Sequence, residues 1–330
     1  MKIVLTLLAC LMIPFSSYAG VQVTEKNFSA AETEHFMQGW VDRGGDNKFV
    51  HMRDLTPLDQ QTVPRMQADT LYSVAIVDAS KPVKLHMPDS GGLYQSAQIF
   101  DGEHYTQEII VGKGDYTINF PTAYGAILIR THVTNPEDPG TLERGRKLQD
   151  QVIIKTGGTP FKQSADYDRK SLTKMHDKMM ARSANYKNSD GMFESREATQ
   201  DNMKHMVGVA TGWGGITSSH VVYHLSPTFK TTECRSVTFS QPKIKYFWSF
   251  TMYNDKGYMF DKKRNISSTT AKPNEDGTYT VYFGDCDNVK GVKNHLPTIP
   301  DWNYTVRTYG PGKEVSNGTW KAPINPVLVN

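Results

Sequence analysis

Residues 246–323 constrain the fold of this chain more than any other stretch, because short aromatic strands alternate there with tight turns. Trp248, Phe250 and Met252 fall on one face of a period-2 pattern, and polar neighbours fall on the other. The turn sequence at 254–257 carries a glycine that can adopt positive φ, and another such turn follows at 274–277. The pattern predicts an antiparallel β domain, with a return strand that starts at 258–260.

The chain has 330 residues, which is more than one hydrophobic core usually holds, so we expect at least two domains. An apolar run at 71–77 is typical of a central strand, and the short strands after it predict a sandwich or barrel. Those short strands are expected at 94–100, 108–111, 116–120 and 126–133. Helical spacing then predicts helices at 141–151, 168–185 and 195–207. A capping-box pattern from Ser29 to Glu32 predicts an earlier helix that reaches about Trp40.

The first residues have the pattern of a cleaved secretory signal, with Lys2 followed by an apolar run and small residues at Ser17 and Ala19. A lipoprotein signal that ends at Cys10 is the competing interpretation. No later apolar run is long enough to cross a bilayer. We therefore predict an exported protein, periplasmic or secreted. Its predicted parts are a signal peptide at 1–19, an N-terminal β-sandwich at 20–135, a helical insertion at 136–210 and a C-terminal β domain at 211–330.

Removal of the leader leaves two cysteines, Cys234 and Cys286, in a chain that enters an oxidising compartment. They flank the aromatic block, so a disulfide between them would staple the C-terminal domain. Two buried thiols are the alternative.

The charge balance argues against a dedicated nucleic-acid binder. The chain has 37 basic and 34 acidic residues, a net charge of +3, and its longest basic run is at 262–264. Affinity for phosphate backbones needs a concentrated basic face, which this composition does not provide.

Several segments together resemble a paired family of domains of unknown function, numbered twelve fifty-four in the N-terminal module and twelve fourteen in the C-terminal module. The N-terminal segment is NKFVHMRDLTPLDQQTVPRMQADTLYSVAIVDASKPVKL, and the C-terminal segments are YFWSFTMYNDKGYMF, DGTYTVYFG, LPTIPDWNYTVRTYGP and GTWKAP. The resemblance covers most of the mature chain. It implies an immunoglobulin-like sandwich, a helical insertion and a jelly-roll-like sandwich, and it implies no reaction. Where the family usually has Asn in its Asn-x-Asp-Thr motif, this chain has Gln67.

Motifs of common enzyme classes are absent from the sequence, including G-x-S-x-G, H-E-x-x-H, C-x-x-C and the Walker A loop. His220 and His224 are four residues apart, which on a strand is about 13 Å and too far for one metal. Six methionines between 175 and 206 fit ordinary core packing better than copper binding. We predict no metal and no cofactor.

Four polar residues lie inside otherwise apolar strands: Asp69, Arg130, His132 and Arg307. Arg130 and His132 are two apart and share a face, as do Arg307 and Tyr309. If these faces line the junction between the β domains, two guanidiniums can bind a carboxylate, a sulfate or sugar hydroxyls. The competing interpretation is a structural bridge between Asp69 and one arginine.

We therefore predict a protein that binds a small or saccharide-like ligand at the junction of its two β domains. The alternatives are a hydrolytic enzyme that uses Asp69 or His132 as acid or base, and an envelope-associated structural or interaction protein. The predicted ligand-binding residues are Asp69, Tyr72, Arg130, Trp248, Tyr253, Arg307 and Trp320.

Overall fold

The computed structural model of the chain describes residues 20–186 and 188–329. The signal peptide predicted at 1–19, with Cys10, lies outside the described residues. Among the residues described, no helix combines the length and the apolar character that a membrane crossing requires.

The N-terminal half forms a β-sandwich from two sheets. Its strands are β1 (Val50–His51), β2 (Thr70–Asp78), β3 (Val83–Met87), β4 (Gln95–Asp101), β5 (Thr106–Val111), β6 (Gly114–Ile118), β7 (Tyr124–His132) and β8 (Ile153–Lys155). One sheet has the order β1-β2-β7-β4-β5 and the other has the order β6-β3-β8. Val77, Leu85, Ile99 and Ile129 fill the core between them.

The C-terminal half forms a second sandwich. Its strands are β9 (Val221–Leu225), β10 (Arg235–Phe239), β11 (Trp248–Tyr253), β12 (Asn265–Ser267), β13 (Tyr279–Phe283), β14 (Asn294–Leu296), β15 (Asn303–Tyr309) and β16 (Val327–Leu328). The sheets have the orders β12-β11-β15-β9 and β14-β13-β10-β16. Trp248, Phe250, Phe283 and Trp302 are fully buried between them. The prediction of a mainly β fold with helical segments is confirmed.

The helices are α1 (Phe28–Val41), α2 (Pro139–Asp150), α3 (Arg169–Arg182), a 3₁₀ turn (Ser183–Asn185), α4 (Asn202–Thr211) and α5 (Lys313–Ser316). α1, α3 and α4 pack together around Phe28, Met179 and Val207. The six methionines between 175 and 206 lie in or against this cluster, as ordinary core residues.

Two details of the predicted helices are wrong. Ser29 and Glu32 are not a capping box, because the helix begins at Phe28, and buried Glu32 instead lies 2.7 Å from His176 on α3. α4 begins at Asn202 rather than at 195, because the side chain of Asp201 accepts hydrogen bonds from the backbone N–H groups of residues 203 and 204. The capping residue Asp201 therefore sets the start of α4, although the apolar spacing extends further toward the N-terminus.

The predicted return strand at 258–260 is also wrong, because the return strand of the second sandwich is β12. The side chain of Gln61 takes both backbone groups of Met259, accepting from its N–H at 2.7 Å and donating to its carbonyl at 2.9 Å. Those groups are therefore engaged by the first module and make no strand pairing. β8 was likewise not foreseen, and it pairs with β3 from within the predicted helical insertion.

The central strand β15 is buried on both faces, and so is β7 after Tyr124. Along β7, Ile127 and Ile129 enter the N-terminal core, while Leu128 belongs to a second apolar cluster on the opposite face. Along β15, Tyr304 and Val306 enter the C-terminal core. Because side chains alternate along a strand, Arg130 and His132 of β7 and Arg307 and Tyr309 of β15 lie on the opposite faces, toward the junction between the sandwiches.

Three stacked rings join the two modules at this junction. The ring of Phe247 lies between His132 at the end of β7 and Tyr309 at the end of β15, with centroid distances of 3.9 and 4.2 Å and interplanar angles of 6° and 9°. Tyr94 packs edge-on against Phe247 and Tyr309. The modules therefore share a continuous buried contact.

The structure bonds Cys234 to Cys286, at the start of β10 and just after β13, with an S–S distance of 2.04 Å. β10 and β13 are adjacent strands, so the bond staples the outer sheet of the C-terminal sandwich.

We expect the Cys234→Ala/Cys286→Ala double variant to lose about 4 kcal/mol of unfolding free energy, since the bond closes a loop of 52 residues. Urea unfolding of the oxidised wild type and the variant measures the difference. Reductant should destabilise the wild type and leave the variant unchanged. Equal midpoints before and after reduction of the wild type would show that the bond does not stabilise the fold.

Candidate functional site

A cavity of about 810 Å³ lies where the two sandwiches and the helical segment meet. The N-terminal module contributes the loop at 62–67 and residues of β2 and β7. The helical segment, which carries α3 and α4, contributes several residues from Met180 to Phe193. The C-terminal module contributes residues of β9 and β15. The cavity is thus walled by three parts of the chain that are distant in sequence.

Arg130 lines this cavity and is 5% exposed. Its Nη1 donates to Gln98 Oε1 at 2.8 Å, and its Nη2 donates to the carbonyl of Gly214. Its guanidinium lies over the ring of Tyr72, its neighbour across the β2–β7 pair, at 5.7 Å. Gly214 has φ +81°, and a Cβ there would come within 2.9 Å of Leu128, so glycine permits this approach.

Arg307 lines the same cavity and is 2% exposed. Its Nη2 donates to the carbonyl of Arg65 at 2.6 Å and to the hydroxyl of Tyr253 at 2.9 Å, and its Nη1 donates to Thr251 Oγ1 at 3.1 Å. It lies 5.6 Å from the ring of Tyr223, its neighbour across the β9–β15 pair. The structure therefore brings Arg130 and Arg307 to one cavity, each beside a cross-strand tyrosine.

Asp69 lies outside the cavity wall and is 1% exposed. Its Oδ2 accepts from Gln67 Nε2 at 2.7 Å, and its Oδ1 accepts from Asn265 Nδ2. Burial raises the pKa of Asp69 to about 6, although the positive charges of Arg307 and Arg264 oppose the rise. Asp69 is thus held by amides, and the alternative of a direct Asp69–arginine bridge is wrong.

Gln67 connects Asp69 to the cavity wall. Its Oε1 accepts from the hydroxyl of Tyr309 at 3.0 Å, and its backbone N–H donates to the hydroxyl of Tyr72 at 3.2 Å. Gln67, Tyr72 and Tyr309 all line the cavity. Gln67, where the sequence departs from the expected Asn-x-Asp-Thr motif, therefore lies at the site itself, and its side chain bridges the two modules.

Four of the other predicted site residues lie outside the cavity lining. His132 stacks on Phe247, and burial lowers its pKa to about 4. Trp248 is in the core of the C-terminal sandwich, and Trp320 packs against that core. Tyr253 donates its hydroxyl proton to the carbonyl of Met66 at 2.8 Å, so it supports Arg307 from behind the wall.

Trp213 and Tyr223 line the cavity and were missed from the sequence. The sequence signal for Trp213 is the run of glycines around it, since glycine permits close backbone approach. Tyr223 lies between His220 and His224 in the sequence, on the face of β9 opposite His224. Within the residues described, no three His, Cys, Asp or Glu side chains form a group that could hold a metal ion.

Models of two protein families match this chain, one in each β module. Residues 47–112 match the model described as Protein of unknown function (DUF1254), and residues 231–313 match the model described as Protein of unknown function (DUF1214). The chain carries the paired DUF1254 and DUF1214 modules. The DUF1254 match includes Gln67 and Tyr72, and the DUF1214 match includes Arg307. Among curated proteins, none matches this sequence.

Two solved structures share the fold. The VPA0106 protein of Vibrio parahaemolyticus superposes with a TM-score of 0.71 at 16% identity, over 93% of this chain and 98% of that one. An uncharacterized protein from Burkholderia cenocepacia superposes with a TM-score of 0.51 at 13% identity, over 92% of this chain and 87% of that one. At these identities, the likeness concerns the fold of the DUF1254–DUF1214 pair alone.

The raised pKa of Asp69 predicts a pH-dependent stability. The folded chain holds this proton up to about pH 6, whereas the unfolded carboxyl releases it near 3.8, so stability falls as pH rises between those values. Relative to Asp69→Asn, the wild type should lose up to about 3 kcal/mol of unfolding free energy over this range. Urea unfolding of both proteins from pH 4 to pH 7 measures the difference. A difference that stays constant with pH would contradict a buried acid at Asp69.

Proposed function

We propose that the protein is an exported binding protein that holds a small organic or saccharide-like ligand in the cavity between its two β modules. The observation that carries the proposal is a cavity of about 810 Å³ with buried arginines and aromatic rings in its wall. Ligand sites typically have volumes of about 300 to 1,000 Å³ and combine an apolar lining with a few placed polar groups. Sites of this kind also occur preferentially at domain interfaces.

Two observations support export. The first residues have the pattern of a secretory signal, and the C-terminal module holds a disulfide, which persists in oxidising compartments.

Binding is favoured over hydrolysis by the positions of the two candidate catalytic groups. Asp69 accepts hydrogen bonds from two amides behind the wall, and the ring of His132 is stacked on Phe247. A general acid or base must lie within hydrogen-bond reach of the reacting atom. A ligand in the cavity meets Tyr72, Arg130 and Arg307 instead.

Leu225 offers a test, because it lines the cavity and is half-buried, so a larger side chain there fills the cavity without overpacking a core. Thermal-shift screening of sugars, organic acids and their amides should give a compound that stabilises the protein. We expect Leu225→Trp to weaken binding of that compound by about tenfold or more in calorimetry, since it occludes the site.

Leu225→Met is the matched control, because it nearly conserves side-chain volume and should bind as the wild type does. Undiminished binding to Leu225→Trp would place the ligand elsewhere. A screen in which no compound stabilises the protein would also contradict the proposal.

A further inference from the structure

We infer that the ligand of this cavity is an amphipathic organic anion whose oxyanion end contacts Arg130 and Arg307. The inference rests on the proposed function and names the ligand class for that same site. Carboxylate, sulfonate and phosphate ends share the required chemistry, which is a set of acceptor oxygens with a negative charge.

The cavity wall has a surplus of positive charge. Among the described residues, its basic side chains are Arg65, Arg130, Lys256 and Arg307, and its acidic side chain is Asp255. Asp255 is exposed beside Lys256 in the turn after β11, so it lies at the rim rather than against the buried arginines. The buried part of the wall therefore favours a negative ligand.

The two buried guanidiniums have neutral hydrogen-bond partners. No ion pair found in the described chain includes Arg130 or Arg307. Arg307 lies near enough to Asp69 to lower the pKa of that carboxyl. The carboxylate oxygens of Asp69, however, accept hydrogen bonds from Gln67 and Asn265. A buried charge without a counter-ion is costly, so an anionic ligand would stabilise this arrangement.

Three further groups of the wall have a proton to donate. The hydroxyl of Tyr72 accepts from the backbone N–H of Gln67, and the hydroxyl of Tyr223 accepts from that of Ile216 at 3.3 Å. Each hydroxyl therefore still has its proton to donate. The indole Nε1 of Trp213 is buried and has no hydrogen-bond partner among the residues described. A ligand with acceptor oxygens satisfies these donors, whereas a ligand rich in donors does not.

Most of the lining surface is apolar, and Met66, Leu128, Met192 and Phe193 contribute to it. These side chains are buried and belong to the apolar clusters that the helical segment and the junction share. An inorganic ion would leave this surface empty. The matching ligand therefore has a hydrocarbon or aromatic body attached to its anionic end.

The test compares matched acids and amides on the full protein by calorimetry at low ionic strength. The pairs are octanoate with octanamide, decanoate with decanamide, and 4-phenylbutyrate with 4-phenylbutyramide, and inorganic phosphate and sulfate are added alone. We expect at least one acid to bind about tenfold or more tightly than its amide, and more tightly than either inorganic ion. In Arg130→Met, that preference for the acid should disappear.

Arg53→Met is the matched control, because Arg53 forms an exposed ion pair with Asp150 and its loss changes the net charge equally. It should keep the preference for the acid. If Arg130→Met does not fold, Arg130→Lys provides the measurement, since it keeps the charge but loses the planar fork, and it should retain a weakened preference.

Equal binding of acid and amide, or an acid preference that survives in Arg130→Met, would overturn the inference. Tight binding of phosphate alone would overturn the amphipathic part of it. If sugars or amides bind in a way that Leu225→Trp abolishes while no acid binds, the inference fails and the proposed function stands. If no compound binds at all, both fail.

Discussion

The stack of His132, Phe247 and Tyr309 fixes how the two sandwiches face each other, and the position of the cavity depends on it. Each offset aromatic pair contributes about 0.5 to 1.5 kcal/mol beyond the area that it buries. Residues two apart on a strand share a face, so Arg130 and Arg307 lie two positions before His132 and Tyr309 on the same two faces. The contact that joins the modules thereby also directs both guanidiniums into the junction.

Burial on both faces explains why the polar residues of the central strands have such specific partners. Apart from Tyr124, the residues of β7 and β15 are buried, so a polar group on them needs a partner within the protein or a ligand. Arg307 meets this need largely with Thr251, Tyr253 and the carbonyl of Arg65. Its position is therefore set by the C-terminal sheet and by the loop that Arg65 belongs to.

The sequence predicts the parts of this structure that depend on local periodicity. The central strands follow from their apolar spacing. The pairing of Cys234 with Cys286 follows from the number of cysteines and the expected oxidising compartment. Period-2 alternation puts Arg130 and Arg307 on the faces that lie at the junction. The parts that depend on partners from distant segments were not predictable. The side chain of Gln61 hydrogen-bonds the backbone of Met259, and the carbonyl of Gly214 accepts a hydrogen bond from Arg130. β8, which follows α2 in the chain, pairs with β3. Each of these contacts joins residues that are far apart in the sequence, so local periodicity does not reveal it.

The two arginines are equivalent in their strands but not in their bonding, and this difference separates their roles in the proposed anion site. An arginine has five N–H donors, and Arg307 makes three hydrogen bonds that hold it from behind the wall. Arg130 makes two, to an amide oxygen and to the carbonyl of a glycine in the segment that follows α4. Arg130 therefore has more donors left for a ligand, while its bond to Gly214 ties it to the segment that also carries Trp213. In the proposed anion site, Arg307 would act mainly as a fixed positive charge, and Arg130 would supply more of the hydrogen bonds.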